Sequence, residues 1–414
     1  MSKLTRYKLS ELYSISSGIS SKPEQAGHGY PFCSFSTVFN NTFLPDELPD
    51  LMDTSEQERS FYSILKGDVF LTRTSETVEE LGMSSVAVKD YPNATYSGFL
   101  KRLRPISDKA YPQYMALLFR SHYFRKTVTN KAVMTLRASF NEDTFNDIYL
   151  YLPPLEEQIK IGDLFFNIER HIRNNNATCS DLENMAKLIY DYWFVQFDFP
   201  DENGKPYKSS GGKMVWNSDL NREIPKGWEV KPVLEVFDWV GTSQPPKSTF
   251  IYAPKEGYIR FIQNRDYDGD QHLTFIPLTD NVKTCTELDI MMDKYGDAGK
   301  TRFGIAGAYN VALSKIVVRN ASMREYVRAY LSSKSIYKYL NSACIASTRA
   351  SLNEANFDFL SMPIPTEDIL HRFNNVANLI IDQLLEIKRE NQQLASLRDF
   401  LLPMLMNGQV KVAS

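Results

Sequence analysis

The feature that most constrains this chain is an internal repeat. Arg137-Ala138-Ser139-Phe140-Asn141-Glu142 returns as Arg349-Ala350-Ser351-Leu352-Asn353-Glu354, 212 residues further on. The same offset carries Tyr114 onto Tyr326, Ser121 onto Ser333, Phe145 onto Phe357, Pro153 onto Pro365 and Leu182 onto Leu394. One hexapeptide could match by chance, but a register held without a gap across polar and apolar positions is the mark of duplication, so the chain reads as one unit written twice.

Each copy closes on a long helical pattern announced by proline, Pro153-Pro154 in the first and Pro363 with Pro365 in the second, where proline is tolerated before or at a helix start. Spacing of four and three residues runs through Ile161, Phe165, Ile168, Ile172, Asn175, Cys179, Leu182, Ala186, Ile189 and Trp193. The offset places Phe373, Ala377, Ile380, Leu384, Ile387, Asn391, Leu394, Arg398, Leu401 and Leu405 on the matching seam, with Arg398 its one poor member. Such a heptad predicts a coiled coil, and a helix of roughly 40 residues is about 60 Å long. Two copies related by a pseudo-two-fold axis would pair these helices antiparallel and set Asn175 against Asn391, a polar pair that fixes register.

The expected fold class is α+β, two similar domains joined by two long helices forming an antiparallel coiled coil. The expected divisions are a first domain at 1–152, a central helix at 153–197, a linker at 198–227, a second domain at 228–363, a C-terminal helix at 364–406 and a tail at 407–414. Asp68-Val69-Phe70-Leu71-Thr72 and Gly257-Tyr258-Ile259-Arg260-Phe261-Ile262 read as strands and Gln113 to Arg125 as helical. The linker, rich in Gly, Pro and Ser, reads as ordered but irregular. The run Tyr190-Asp191-Tyr192-Trp193-Phe194 ahead of it suits either a core or a contact with a partner protein.

Composition excludes several classes. The 414 residues suffice for two or three domains, and 43% hydrophobic with 23% charged residues is the composition of a folded chain. The four cysteines stand far apart with no C-x-x-C, and the five histidines do not gather near them, so neither a metal site nor a disulfide framework is expected. The first ten residues lack an apolar stretch and no run is long enough for a membrane span, so a cytoplasmic protein is expected.

The net charge of −3 hides a local asymmetry. Residues 101–137 hold nine cations against one acid, and residues 300–349 repeat that balance. Two basic segments in corresponding places suit two domains laid on a phosphate backbone. Lys101, Arg102, Lys131, Arg137, Lys300 and Arg349 are the candidate phosphate contacts. Base edges require paired donors and acceptors, arginine toward guanine and asparagine or glutamine toward adenine. Gln263, Asn264 and Arg265 follow a predicted strand, and Thr72 and Arg73 end another; these are the base-edge candidates.

No catalytic motif stands out: G-x-S-x-G, H-E-x-x-H, an amino-methyltransferase tetrapeptide and a nuclease carboxylate cluster are all missing. Gly296-Asp297-Ala298-Gly299-Lys300-Thr301 is two residues too short for a nucleotide loop, since Lys294 stands where glycine is required. A glycine turn offering backbone N–H groups and Lys300 to a DNA phosphate remains one reading, and a purely structural turn the other.

Several segments together resemble the specificity subunits of type I restriction-modification systems. They are Leu152-Pro153-Pro154-Leu155-Glu156-Glu157-Gln158, Tyr192-Trp193-Phe194-Val195-Gln196-Phe197-Asp198, Ile224-Pro225-Lys226-Gly227-Trp228, Tyr295 to Lys300 and Gly307-Ala308-Tyr309-Asn310. The second copy departs from the pattern with Pro363-Ile364-Pro365-Thr366-Glu367-Asp368. The resemblance implies two target recognition domains, each reading part of a split sequence in double-stranded DNA, and a helical spacer that sets the gap. It also implies two modification (methyltransferase) subunits, which bind S-adenosylmethionine, and two restriction subunits, which hydrolyse ATP with Mg2+. The chain itself would then hold no cofactor and perform no catalysis. Two other readings are a stand-alone bipartite DNA-binding regulator, which has no use for exposed apolar helix surface, and a nucleotide enzyme built on the short glycine loop.

Overall fold

The computed structural model describes residues 4–20, 22–75, 81–131, 133–134, 138–139, 142–269, 272–345 and 351–412. The chain divides into two compact units, one of residues 1–173 with 394–414 and one of residues 174–393. The boundary falls inside the long helices, so each unit holds part of both.

The first unit is built on a four-stranded antiparallel sheet in the order Tyr13–Ser17, Leu100–Pro105, Val69–Thr72, Ser84–Val86. In the second unit Phe237–Val240, Leu313–Val318, Ile290–Asp293 and Thr301–Arg302 form the same sheet in the same order. Each unit adds a mixed sheet, three-stranded in the first and four-stranded in the second. Its parallel pairs are Phe32 with Thr95 in the first unit and Phe261 with Ala308 in the second. The helices Pro112–Arg120 and Arg324–Ser332 lie 212 residues apart, as do the strands Tyr149–Leu152 and Ser361–Ile364.

The helical stretch read from Gln113 to Arg125 is two helices, Pro112–Arg120 and His122–Lys131. Ser121 breaks them: its hydroxyl donates to the Leu118 carbonyl at 2.6 Å and accepts the Phe124 N–H at 3.3 Å, competing with the helical ladder. Buried Tyr114, Met115, Leu118 and Phe119 on the first of them join Val69, Leu71 and Leu103 of the sheet in one core. In the second unit Tyr326, Val327 and Leu331 pack on Phe237, Ile290 and Ile316 in the same manner.

The two long helices run Leu155–Tyr190 and Glu367–Met406. The first ends in a π-helical turn, Asp191–Val195, that buries Trp193 and Phe194. Within the second unit Leu182 packs with Ile380, Ile381, Leu384 and Leu385. Asn175 Nδ2 donates to Asn391 Oδ1 at 3.0 Å and to Glu390 Oε2 at 2.8 Å, while Asn391 Nδ2 donates to Asn176 Oδ1 at 2.9 Å. Numbers rise on one helix as they fall on the other, so the pair is antiparallel. In the first unit Ile161 and Phe165 share a core with Leu405. Arg398, the poor seam member, carries its guanidinium to Glu169 at 2.8 Å instead of burying it.

The linker is more regular than its composition suggested. Met214–Asn217 and Arg222–Pro225 pair as a hairpin, and Asp198 accepts from the Ser209 N–H at 2.7 Å and hydroxyl at 2.6 Å. Phe199 stacks between Tyr207 and Trp228, with ring centroids 4.7 and 5.5 Å away, so aromatic packing orders this stretch.

Candidate nucleic-acid interface

Much of the charge in the two basic segments is spent inside the protein, and this corrects their reading as uniform phosphate-facing surfaces. Arg102 is buried and donates to the Ser63 carbonyl at 2.7 Å, so it is not available to a phosphate. Arg104 grips buried Asp68 with two bonds of 2.8 and 2.6 Å, and Arg120 donates to the carbonyls of Ser84, Val38, Phe39 and Asn41. Burial pushes Arg120 down to about 10, the cost of a guanidinium tied only to neutral oxygens. In the second unit Arg302 pairs with Asp293 at 3.0 Å, Lys315 with Asp289 at 3.0 Å, Arg319 with Asp238 at 2.7 Å and Arg328 with Glu325 at 2.8 Å. Arginine suits such work because its planar fork satisfies several acceptors at once. A count of charges along the sequence cannot tell a structural guanidinium from a presented one.

The base-edge candidates separate in the same way. Thr72 is buried and its hydroxyl accepts the Met83 N–H at 2.9 Å, so it does not face a groove, whereas Arg73 beside it is exposed. Lys101 is half-buried and donates to Ser17 Oγ at 2.8 Å; burial, with the charge of Arg73 nearby, holds its pKa below the ordinary lysine value. Gln263 follows the strand Tyr258–Ile262 and donates through Nε2 to Thr274 Oγ1 at 3.3 Å. Asn264 opens a short 3-10 turn with its Oδ1 buried and unbonded. Arg265 alone of the three is exposed, and its Nε lies 3.9 Å from Asp266. Lys131 ends the helix His122–Lys131, and Arg137 and Arg349 lie outside the described residues.

The glycine loop is a hairpin turn, not a phosphate cradle. It joins the strands Ile290–Asp293 and Thr301–Arg302, where a nucleotide loop would run into a helix. Two of its amides are turned inward: the Gly299 N–H bonds the Asp293 carbonyl and the Lys300 N–H the Asp297 carbonyl, both at 2.9 Å. Lys300 itself is exposed, 3.4 Å from Asp297. A nucleotide enzyme built on this loop is therefore not supported.

Residues 1–184 match the type I restriction modification DNA specificity domain. The chain is 23% identical over 375 residues to the type I restriction enzyme MjaIX specificity subunit of Methanocaldococcus jannaschii, covering 88% of this chain and 82% of the relative. It is also 23% identical to the HindI specificity subunit of Haemophilus influenzae, covering 92% and 95%. Over most of its length the chain is similar to type I restriction enzyme specificity subunits. In fold it is similar to the S subunit from M. genitalium, with a TM-score of 0.64 at 12% identity over 98% of this chain and 96% of that one.

Leu188, Leu379 and Phe400 are 67, 66 and 64% exposed on the long helices. Apolar side chains scattered singly are ordinary on a surface, and it is the relatives, which are specificity subunits, that give a stand-alone regulator no support. No helix among the described residues is long and apolar enough to cross a membrane.

Proposed function

We propose that this specificity subunit reads a bipartite DNA sequence, one half with each unit, and brings the modification and restriction subunits of its system to that site. The observation that carries this reading is the duplicated four-stranded sheet, which supplies two equivalent reading heads in one chain. Because the halves differ in sequence, the two half-sites differ as well. The helical pair acts as the ruler between them, and Asn175 with Asn391 fixes its register. The subunit contributes address without chemistry, so S-adenosylmethionine, ATP and Mg2+ belong to its partners. Its partners in this reading are two modification and two restriction subunits. The complex works on cytoplasmic DNA.

In this reading Arg265 is the principal base reader of the second half-site, since its guanidinium is exposed just past a strand end and its contact with Asp266 is long at 3.9 Å. Lys300 and Lys131 serve as phosphate contacts, as do Arg137 and Arg349 of the duplicated hexapeptide. Arg265→Ala should weaken binding by about 1–3 kcal/mol and relax the sequence requirement at one half-site only. Binding of the full complex to duplexes altered one base pair at a time measures this; equal relaxation at both half-sites would rule out separate reading heads.

A further inference from the structure

The strand register of the two sheets defines which residues are equivalent. Thr72 pairs with Leu100, and Asp293 pairs with Leu313. One residue further, the Arg73 N–H bonds the Phe99 carbonyl at 2.9 Å, and the Lys294 N–H bonds the Ala312 carbonyl at 2.8 Å. Both hairpins then close on glycines at positive φ, Gly82 at 67° and Gly299 at 89°. A Cβ on these glycines would press on Val128 and Leu340, which are themselves 212 residues apart. The hexapeptide that revealed the duplication lies against the same place in both units. Ser139 pairs with Thr74 in the first, and the Leu352 N–H bonds the Lys294 carbonyl at 3.0 Å in the second. Arg73 and Lys294 thus hold one backbone position in two copies of the unit, and both are cations.

The neighbouring strand shows a compensating exchange. In the first unit Lys101 lies opposite Ser17 and bonds its hydroxyl at 2.8 Å. The second unit has Ser314 and Gly241 at these places, and a Cβ on Gly241 would lie 3.9 Å from Ser314 Oγ and 4.0 Å from Lys294 Nζ. The ammonium of Lys294 therefore comes into the room that Lys101 fills in the first unit. No carboxylate among the described residues pairs with Arg73 or Lys294, whereas Arg104, Arg302 and Arg319 are each paired with an aspartate.

We infer that Arg73 and Lys294 are equivalent phosphate anchors, one for each half-site. The inference rests on the DNA-reading function proposed above and deepens it. Two heads that read different sequences share only what is common to every duplex, the phosphate backbone. An arginine in one copy and a lysine in the other suits a phosphate, which accepts either cation whatever the local base sequence. Arg73 thereby moves from the base-edge candidates to the backbone contacts, and Lys294, first noted only for not being glycine, joins it.

The test uses the full chain with its modification subunits and a duplex carrying the split site mapped from adenine methylation of host DNA. Binding is measured over a range of KCl concentrations. Lys294→Gln and Arg73→Gln should each weaken binding several-fold and lower the slope of log affinity against log salt by about one, with unchanged preference among single-base variants of the site. Lys205→Gln, in the linker, should leave all three unchanged. A Lys294→Gln variant with unaltered affinity and slope, while the wild type still selects its site, overturns the inference, and so does a variant with altered base preference. If the wild type does not select the split site at all, the DNA-reading function fails first and takes the inference with it.

Discussion

Inserting one heptad into each long helix, at the level of Asn175 and Asn391, should lengthen the unspecific gap between the two recognised half-sites. Seven residues add about 10 Å of helix, which matches about three base pairs of duplex at 3.4 Å each and sets the upper limit. The inserted turns rotate one end of the coil by only about 20°, far less than three base pairs rotate the duplex, so DNA twist or bending absorbs the difference and a gain of fewer base pairs is equally consistent. Extending only one helix should instead break the match between Asn175 and Asn391, which donate and accept across 3.0 Å, and destabilise the pair. Methylation mapping of each variant reads the gap directly. An unchanged gap with both helices extended means that the helices are not the ruler.

Glu325→Ala should destabilise the second unit by about 3–5 kcal/mol, because it strands a buried guanidinium. Glu325 and Arg328 are both almost wholly buried and meet at 2.8 Å, with Arg324 on the other carboxylate oxygen at 2.7 Å. Burial pushes the Glu325 carboxyl up, but the two arginines outweigh it and hold its pKa below the ordinary value. Arg328 also donates to the Leu288 carbonyl at 2.6 Å, and neighbouring Glu287 pairs with Arg389 of the C-terminal helix at 2.6 Å. Losing the carboxylate therefore loosens the loop that ties the domain to that helix. All four tryptophans, Trp193, Trp216, Trp228 and Trp239, lie in this unit, so their fluorescence in a denaturant titration reports its unfolding. The double variant Glu325→Leu with Arg328→Leu should recover most of the loss, since the charge that remains, Arg324, is exposed enough to be hydrated. A single variant within about 1 kcal/mol of wild type would show the pair to be dispensable.

The parts of the fold that follow from periodicity were readable in the sequence. The 212-residue offset holds for the helices Pro112–Arg120 and Arg324–Ser332, and the heptads locate the long helices. The linker hairpin was not readable, because its order comes from Phe199, Tyr207 and Trp228 stacking across distant positions, not from local propensity. The candidate site was least legible where charge matters. Arg102 and Arg265 look alike as letters, yet one is turned onto the Ser63 carbonyl and the other is exposed, a difference set by strand pairing and burial. The equivalence of Arg73 and Lys294 was hidden for a related reason. The hairpin between strand and glycine differs in length between the copies, so a constant offset misaligns the two cations and only the register of the sheets brings them together.

The central claim is that this chain supplies the address for DNA modification. Single-molecule mapping of methylated adenines in host DNA, with the gene present and with it deleted, tests that most directly. One split adenine motif, with two dissimilar halves and a fixed gap, should be methylated in the wild type and lost on deletion, then restored by the gene in trans. An unchanged methylation pattern after deletion, with the modification subunit still produced, would contradict it.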